Sequence, residues 1–334
     1  MIKVKGVRKM FKKLHNAIYL ATLLASMLFL ISGCASSNRN TETAATNTPS
    51  AGETANVEPK EGHSAADEPI SFEDPVLFNL LKKELGKDEI LPKDLAEYTS
   101  IEIAADEFAF LAAGGDSEKS IIHYMEDAFE YDGVRYEGFG TMKSLADLKY
   151  FTSLDKIYIT LQPEIDYSTI PEEIAEKVRV VLIYQSQLED ISFLEKFENL
   201  MVLTLNTNNI KDLSPLEGKD KLIWLSFDWN EVQDLTPISS LTALKSISAY
   251  SNKISDLTAL SDLPNLEEIE FYNNLIKDIG PLKNITTLKS VELINNQIED
   301  VTPLKEFESF EELRLTGNPI KNIDVLSHIK NLEF

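Results

Sequence analysis

The sequence contains a single cysteine, Cys34, and only four histidines, which lie far apart at His15, His63, His123 and His328. One cysteine cannot build a disulfide framework within the chain. Nucleophile elbows, phosphate-binding loops, dinucleotide fingerprints and paired-histidine zinc motifs are missing as well. These absences predict a protein that is not an enzyme and that holds neither a cofactor nor a metal ion.

Basic residues are scarce, with 32 Lys and Arg against 55 Asp and Glu and a formal net charge of −23. Six of the basic residues stand in the first 13 positions, which contain no acidic residue: Lys3, Lys5, Arg8, Lys9, Lys12 and Lys13. The chain after Cys34 therefore has 26 basic and 55 acidic residues, a net charge of −29. Nucleic acids and anionic membrane surfaces are poor partners for such a field, whereas a basic protein patch or a neutral polymer is compatible with it.

The first 34 residues have the pattern of an export signal. Basic residues precede an apolar run over positions 17–31, which is shorter than the roughly 20 residues of a membrane span. The run ends in Leu30-Ile31-Ser32-Gly33-Cys34, which resembles a bacterial lipobox. This resemblance implies that Cys34 is lipidated and anchors the chain at the extracellular face of the bacterial cell membrane. A short signal anchor with an incidental cysteine is the alternative.

Residues 35–70 are rich in Ser, Thr, Asn, Ala, Glu and Pro and nearly free of large apolar side chains. Such a composition cannot bury enough surface to order itself, so we expect a flexible tether. We expect the membrane anchor at the N-terminal end. The last residues, 331–334, begin another strand and have no pattern of an anchoring signal.

A 22-residue period organises residues 178–334. It places an asparagine at the same position of six consecutive repeats: Asn208, Asn230, Asn252, Asn274, Asn296 and Asn318. Each repeat also carries an L-x-x-L-x-L segment, as in Leu200, Leu203 and Leu205, which predicts a short strand with apolar side chains directed inward. One repeat is too small to fold alone, so the pattern predicts a stacked solenoid.

The polar positions of the repeat have structural explanations. The asparagine amide is expected to bond backbone groups of its own turn and of the adjacent turn. An acidic column follows, and then a Ser/Thr-Pro pair such as Ser214-Pro215, whose hydroxyl is expected to cap a helical turn. One carboxylate per repeat is too few for a calcium site, which needs clustered oxygen ligands.

The segments "NNIKDLSPLEGKDKL" and "NNQIEDVTPLKEFESF" resemble the internalin-type subclass of bacterial leucine-rich repeats. The resemblance covers residues 178–334 well and residues 72–177 more loosely. It implies an α/β solenoid, a leucine-rich-repeat horseshoe with short parallel strands on the concave face, short helical or 3-10 turns on the convex side, and an N-terminal helical cap. Such repeats are recognition scaffolds, so the resemblance implies binding without specifying the partner.

Residues 71–177 are expected to form this cap, degenerate first repeats and an insertion. A helix is predicted from Asp74-Pro75 to Gly86, a second over Leu91 to Tyr98, and a first strand around Ile101 and Ile103. The insertion, at about 105–143, includes a predicted hairpin around Asp132-Gly133. It is either a functional loop or a decoration of the cap.

Alternate positions of the strands should present side chains on the concave face. Reading along those columns selects ten candidate partner-binding residues: Tyr184, Trp224, Asp228, Trp229, Tyr250, Glu268, Glu270, Tyr272, Glu292 and Arg314. Exposed aromatic residues beside charge are typical of recognition surfaces, although β-propensity alone also places aromatics on strands. We therefore predict a lipid-anchored surface protein that binds a protein partner with a basic patch; the alternative is a glycan ligand stacked on the same aromatics.

Overall fold

The computed structural model describes residues 68–115, 119–124, 127–330 and 332–333. Cys34, the predicted signal at 1–34 and nearly all of the predicted tether at 35–70 lie outside these residues. The α-helices of the described part are α1 (Pro75–Leu85), α2 (Pro92–Leu95) and α3 (Glu172–Ala175). Its strands are β1 (Ser100–Ala104), β2 (Phe108–Ala112), β3 (Ile122–His123), β4 (Ala128–Tyr131), β5 (Val134–Glu137), β6 (Lys156–Thr160), β7 (Val180–Tyr184), β8 (Val202–Thr204), β9 (Trp224–Ser226), β10 (Ser246–Ser248), β11 (Glu268–Glu270), β12 (Ser290–Glu292), β13 (Glu312–Arg314) and β14 (Leu332–Glu333).

Eleven of the described strands form one long sheet in the order β14-β13-β12-β11-β10-β9-β8-β7-β6-β1-β2. The β1–β2 pair is antiparallel, and the other neighbours that are paired in this sheet run parallel. Residues one period apart lie opposite each other, since Leu203 pairs with Leu225 and Leu225 pairs with Ile247. The period therefore adds one strand per repeat, and the predicted parallel solenoid is confirmed.

Short 3-10 helices line the side of each repeat opposite the sheet, as the sequence predicts. They span Ala146–Tyr150, Tyr167–Thr169, Ser192–Lys196, Ser214–Leu216, Thr236–Ser240, Thr258–Leu260, Gly280–Asn284, Thr302–Leu304 and Ile323–Leu326. Between them and the strands lies a continuous apolar core in which Leu203, Phe227 and Ile254 are fully buried. Each layer of this core is completed by the next repeat, which is why the array and not the single repeat is the stable unit.

The caps of the 3-10 helices differ from the sequence prediction. Ser214 is the first residue of its 3-10 helix, and its hydroxyl caps nothing; the residue before it, Leu213, makes no side-chain capping bond. The carboxylate of Asp212 accepts the Ser214 backbone N–H at 2.8 Å and the Ser214 hydroxyl at 2.9 Å. The expected hydroxyl caps are thus wrong, because the aspartate two residues earlier takes the N–H in an Asx turn.

The same Asx turn recurs through the array. Aspartates accept the N–H two residues ahead at 2.8 Å in Asp190, Asp234, Asp256 and Asp300, and Asp278 does so at 2.7 Å. The acidic column of the sequence is therefore part of the turn that starts each 3-10 helix.

The repeated asparagines form a buried ladder along the solenoid. The Asn230 amide donates to the carbonyl oxygens of Phe227 in its own repeat and Leu205 in the preceding one, each at 2.9 Å. Its oxygen accepts the Ile210 N–H at 2.9 Å. Each of these carbonyl oxygens accepts from two ladder asparagines, since Asn208 also donates to Leu205 and Asn252 to Phe227, both at 3.0 Å. The ladder thereby pairs buried backbone groups of adjacent turns.

The N-terminal cap is built on α1. Asp74 caps it by accepting the N–H groups of Val76 at 2.8 Å and Leu77 at 3.3 Å. Gly86 ends it with a φ of 65°, and its N–H donates to Lys82. The second predicted helix, Leu91 to Tyr98, is shorter in the structure, where α2 has only four residues.

The insertion forms a second, three-stranded sheet in the order β3-β4-β5. The predicted hairpin is confirmed: Asp132 and Gly133 join β4 to β5 with φ angles of 50° and 75°, as a two-residue turn with two positive φ angles requires. Phe129 is fully buried in a small cluster with Phe110 of β2. The insertion is thus packed onto the first strands of the long sheet.

Candidate functional site

The side of the long sheet that faces away from the apolar core carries all the predicted binding residues, and we call its β7–β13 part the sheet face. Strand register aligns its side chains in columns. One column runs through Trp224, Ser246, Glu268, Ser290 and Glu312. A second runs through Ser226, Ser248, Glu270, Glu292 and Arg314. Neighbours in a column belong to strands about 4.8 Å apart, so side chains from different repeats act together.

The ten predicted binding residues are less exposed than the sequence suggests. Four are buried, with 3 % of Tyr184, 6 % of Trp224, 0 % of Asp228 and 7 % of Glu292 exposed. The expectation of outward exposure is therefore wrong for these four. The other six are half-buried: Trp229, Tyr250, Glu268, Glu270, Tyr272 and Arg314.

Tyr184 is covered by the insertion. The His123 ring stacks on the Tyr184 ring with centroids 3.9 Å apart and an interplanar angle of 20°. The neighbouring Gln185 donates from Nε2 to the Ala128 carbonyl at 3.0 Å. Burial lowers the pKa of His123 to about 4, so this ring is neutral at physiological pH. The first repeat of the sheet face is therefore occupied by a segment of the chain itself.

Asp228 is the centre of a buried polar network. Its Oδ1 accepts from the Ser248 hydroxyl at 2.7 Å and from the Tyr250 N–H at 3.1 Å. Its Oδ2 accepts from the Asn206 amide at 3.0 Å and from the Ser226 hydroxyl at 3.1 Å. Burial raises the pKa of Asp228 to about 8, although the Ser248 hydrogen bond opposes the shift. Three neighbouring repeats are thereby tied together through one carboxylate.

The partners of Asp228 were not predicted as site residues. Asn206, Ser226 and Ser248 are small and polar. The only feature of the sequence that could have indicated them is their place at strand positions whose side chains point away from the core. Glu312 was missed too, although it stands in the same column as Glu268.

Three aromatic rings form a row across consecutive repeats. The Trp229 ring lies edge-on to Tyr250, with centroids 6.1 Å apart and an interplanar angle of 85°. Tyr250 stacks on Tyr272 at 4.3 Å and 9°. We call these three residues the aromatic row. Each of the three residues is half-buried, so part of its surface is open to solvent.

Acidic residues dominate the part of the sheet face beyond the aromatic row. Glu268, Glu270, Glu292 and Glu312 lie on three successive strands, β11 to β13. One basic residue, Arg314, lies among them, with Nη1 3.3 Å from Glu292 and Nη2 2.6 Å from Glu312. The carboxylates outnumber this cation, so the local charge is negative.

In the described ranges, no group of three or more His, Cys, Asp and Glu side chains has the arrangement of a metal site. Over the same ranges, none of the helices combines the length and apolar character of a membrane span.

Comparison with known proteins decides the fold family. A family model described as leucine-rich repeats in two copies matches residues 264–306. A crystal structure of an internalin from Listeria monocytogenes superposes with a TM-score of 0.61 at 25% identity, covering 80% of this chain and 79% of the internalin. The fold is a leucine-rich-repeat solenoid.

A second leucine-rich-repeat structure, internalin C2 of the same organism, superposes with a TM-score of 0.55 at 23% identity over 79% of this chain and 99% of the other. A search of curated protein sequences finds no match to this chain. Leucine-rich-repeat proteins of the internalin type typically mediate protein binding and are typically not enzymes.

Proposed function

We propose that this chain is a non-enzymatic bacterial surface lipoprotein that binds a protein partner through the sheet face of its leucine-rich repeats. A lipid on Cys34 would hold it at the extracellular face of the cell membrane. The lipobox-like segment ending at Cys34 and the basic, then apolar, leader support the anchor. The internalin-type fold supports the binding role.

The observation that carries the binding proposal is the aromatic row beside carboxylates on one continuous sheet. Large rigid rings supply contact area at low entropic cost, and they dominate the energetics of many interfaces. The asparagine ladder and the apolar core explain the fold without Trp229, Tyr250 or Tyr272. These three rings are therefore available for a partner.

The charge of the sheet face favours a partner with a basic patch. The carboxylates on β11 to β13 stand in a chain whose net charge is −23. Electrostatic complementarity of this kind steers association and orients the partner. A neutral polysaccharide would gain nothing from these carboxylates, so it is the less favoured ligand.

The test is capture by full-length protein displayed on cells, with the captured proteins identified by mass spectrometry. A variant that combines Trp229→Ala, Tyr250→Ala and Tyr272→Ala should capture the same partner at least tenfold less well. Leu275→Ala is the matched control, since Leu275 is 46 % exposed but is not in a sheet-face column. Equal capture by the triple variant would reject this face, and binding of only a neutral polysaccharide would reject the protein partner.

The anchor has a separate test. Cys34→Ser should move the protein from the membrane fraction to the medium or leave it as uncleaved precursor, and labelling with a fatty-acid analogue should be lost. Retained labelling would disprove lipidation at Cys34.

A further inference from the structure

In each repeat of residues 178–334, the residue directly before the ladder asparagine or its equivalent has left-handed backbone. These residues are Gln185, Thr207, Trp229, Ser251, Asn273, Asn295 and Gly317, with φ between 50° and 80°. Glycine and asparagine adopt this conformation readily, whereas bulky and β-branched side chains are strongly disfavoured in it. Trp229 is thus the bulkiest member of a column that favours small or amide side chains.

The turn itself does not require the indole. The Trp229 backbone N–H donates to the Tyr250 carbonyl at 2.9 Å. Thr207 and Ser251 make the equivalent backbone bond without an aromatic ring, to Asp228 at 2.7 Å and to Tyr272 at 2.9 Å. A bulky side chain at a position whose left-handed backbone conformation disfavours it suggests a role outside folding.

The indole extends the aromatic row, and the row lies in a negative field. Glu270 is the last residue of β11, two positions before Tyr272 on the outward side of the sheet, and it is half-buried. Burial raises the pKa of Tyr272, and the charges of Glu270 and Glu292 contribute to the shift. Glu292 is paired with Arg314, so Glu270 is the carboxylate that a cation on the row would meet first.

Aromatic faces attract cations, and carboxylates nearby strengthen that attraction. Arginine suits such a surface best, because its planar guanidinium stacks on rings and bonds carboxylates at the same time. We infer that the aromatic row of Trp229, Tyr250 and Tyr272 is a receptor for an arginine side chain presented by the protein partner. This inference rests on the proposed function, since it specifies the chemistry of the partner at that face.

The first experiment uses the two tryptophans of the chain, Trp224 and Trp229, as built-in reporters. Isotope-labelled protein is titrated with the capped peptide acetyl-Gly-Arg-Gly-amide, and the two indole N–H resonances are followed by NMR. The chemical shift of the Trp229 resonance should change and reach saturation, while that of the buried Trp224 should not change. The citrulline peptide, which has the same shape without the charge, should bind at least fivefold more weakly. Equal binding of the citrulline peptide, or a response to a neutral trisaccharide instead of arginine, would overturn the inference.

The second experiment separates binding from folding. Trp229→Asn introduces the residue that this column uses at Asn273 and Asn295, so the melting temperature should equal or exceed that of the wild type. Binding of the arginine peptide, read from the tyrosine ring resonances, should fall at least fivefold. A lower melting temperature with unchanged binding would make Trp229 a structural residue and contradict the inference.

Thr207→Asn is the matched control, because Thr207 is in the same column one repeat earlier. It should give a comparable change in melting temperature and leave arginine binding unchanged. The two proposals can also fail separately. Saturable arginine binding without capture of any protein partner would reject the proposed function and keep the arginine site. Partner capture that is insensitive to Trp229→Asn would keep the proposed function and reject the arginine site.

Discussion

Asp74 and Asp147 hold the N-terminal cap on the array by reciprocal hydrogen bonds. Asp147 Oδ2 accepts the backbone N–H groups of Glu73 at 2.8 Å and Asp74 at 3.0 Å. Asp74 Oδ2 accepts those of Lys143 at 2.6 Å and Ser144 at 3.0 Å. Since the other oxygen of Asp74 caps α1, one side chain connects this helix to the segment just before the first 3-10 helix.

We predict that Asp74→Ala lowers the free energy of unfolding by about 2–4 kcal/mol. The variant loses an N-cap, worth about 0.5–2 kcal/mol, and leaves two N–H groups of the first repeat without their acceptor, at about 1–3 kcal/mol for a buried group. Urea unfolding of the purified protein measures the change. Asp88→Ala, which removes only an exposed ion pair with Lys82, should leave the urea midpoint in place; an equal loss in both variants would refute the specific role of Asp74.

The second prediction concerns the asparagine ladder. Asn230→Ala leaves the buried Ile210 N–H without its acceptor and removes one of the two amide donors to each of the carbonyl oxygens of Leu205 and Phe227, which keep Asn208 and Asn252. We expect a loss of about 1–3 kcal/mol, the cost of one unsatisfied buried group. Thermal unfolding followed by circular dichroism checks this. The exposed Asn209, one position after a ladder asparagine and with ordinary backbone, provides the control, and Asn209→Ala should cost much less.

The third prediction is a pH dependence that Asp228 causes. Its pKa is about 8 in the folded protein and about 3.9 in an unfolded chain. Between these values the folded state binds more protons, so the stabilisation from this group is complete below about pH 4 and is lost as the pH rises through about 8. Asp228→Asn should flatten the decline in stability from pH 5 to 8, measured as urea midpoints. An unchanged slope would mean that Asp228 is ionised throughout the range.

Much of the fold could be predicted from the sequence, because a gapless 22-residue period fixes the strand register. The ladder position of Asn230 and the inward position of Leu203 follow directly from that period. The capping error had a local cause. Ser214-Pro215 has the pattern of an N-cap, yet Asp212, two residues earlier, is the stronger acceptor and takes the N–H in every comparable repeat.

The candidate site was harder to predict, because burial on the sheet face depends on contacts that have no period. Nothing near Tyr184 in the sequence shows that His123 of the insertion stacks on it. Likewise, Asp228 has the pattern of an exposed charge until Asn206, Ser226 and Ser248 are placed around it. Both errors come from tertiary contacts between distant segments or repeats.

The most direct test of the account is site-specific photo-crosslinking on living cells. A benzophenone amino acid replaces Tyr272 on the sheet face in one variant and Leu275, three residues later and outside the sheet-face columns, in another. If the sheet face is the recognition surface, ultraviolet irradiation yields a covalent adduct with a discrete partner protein from position 272 and none from position 275. Adducts from position 275 alone would contradict the account.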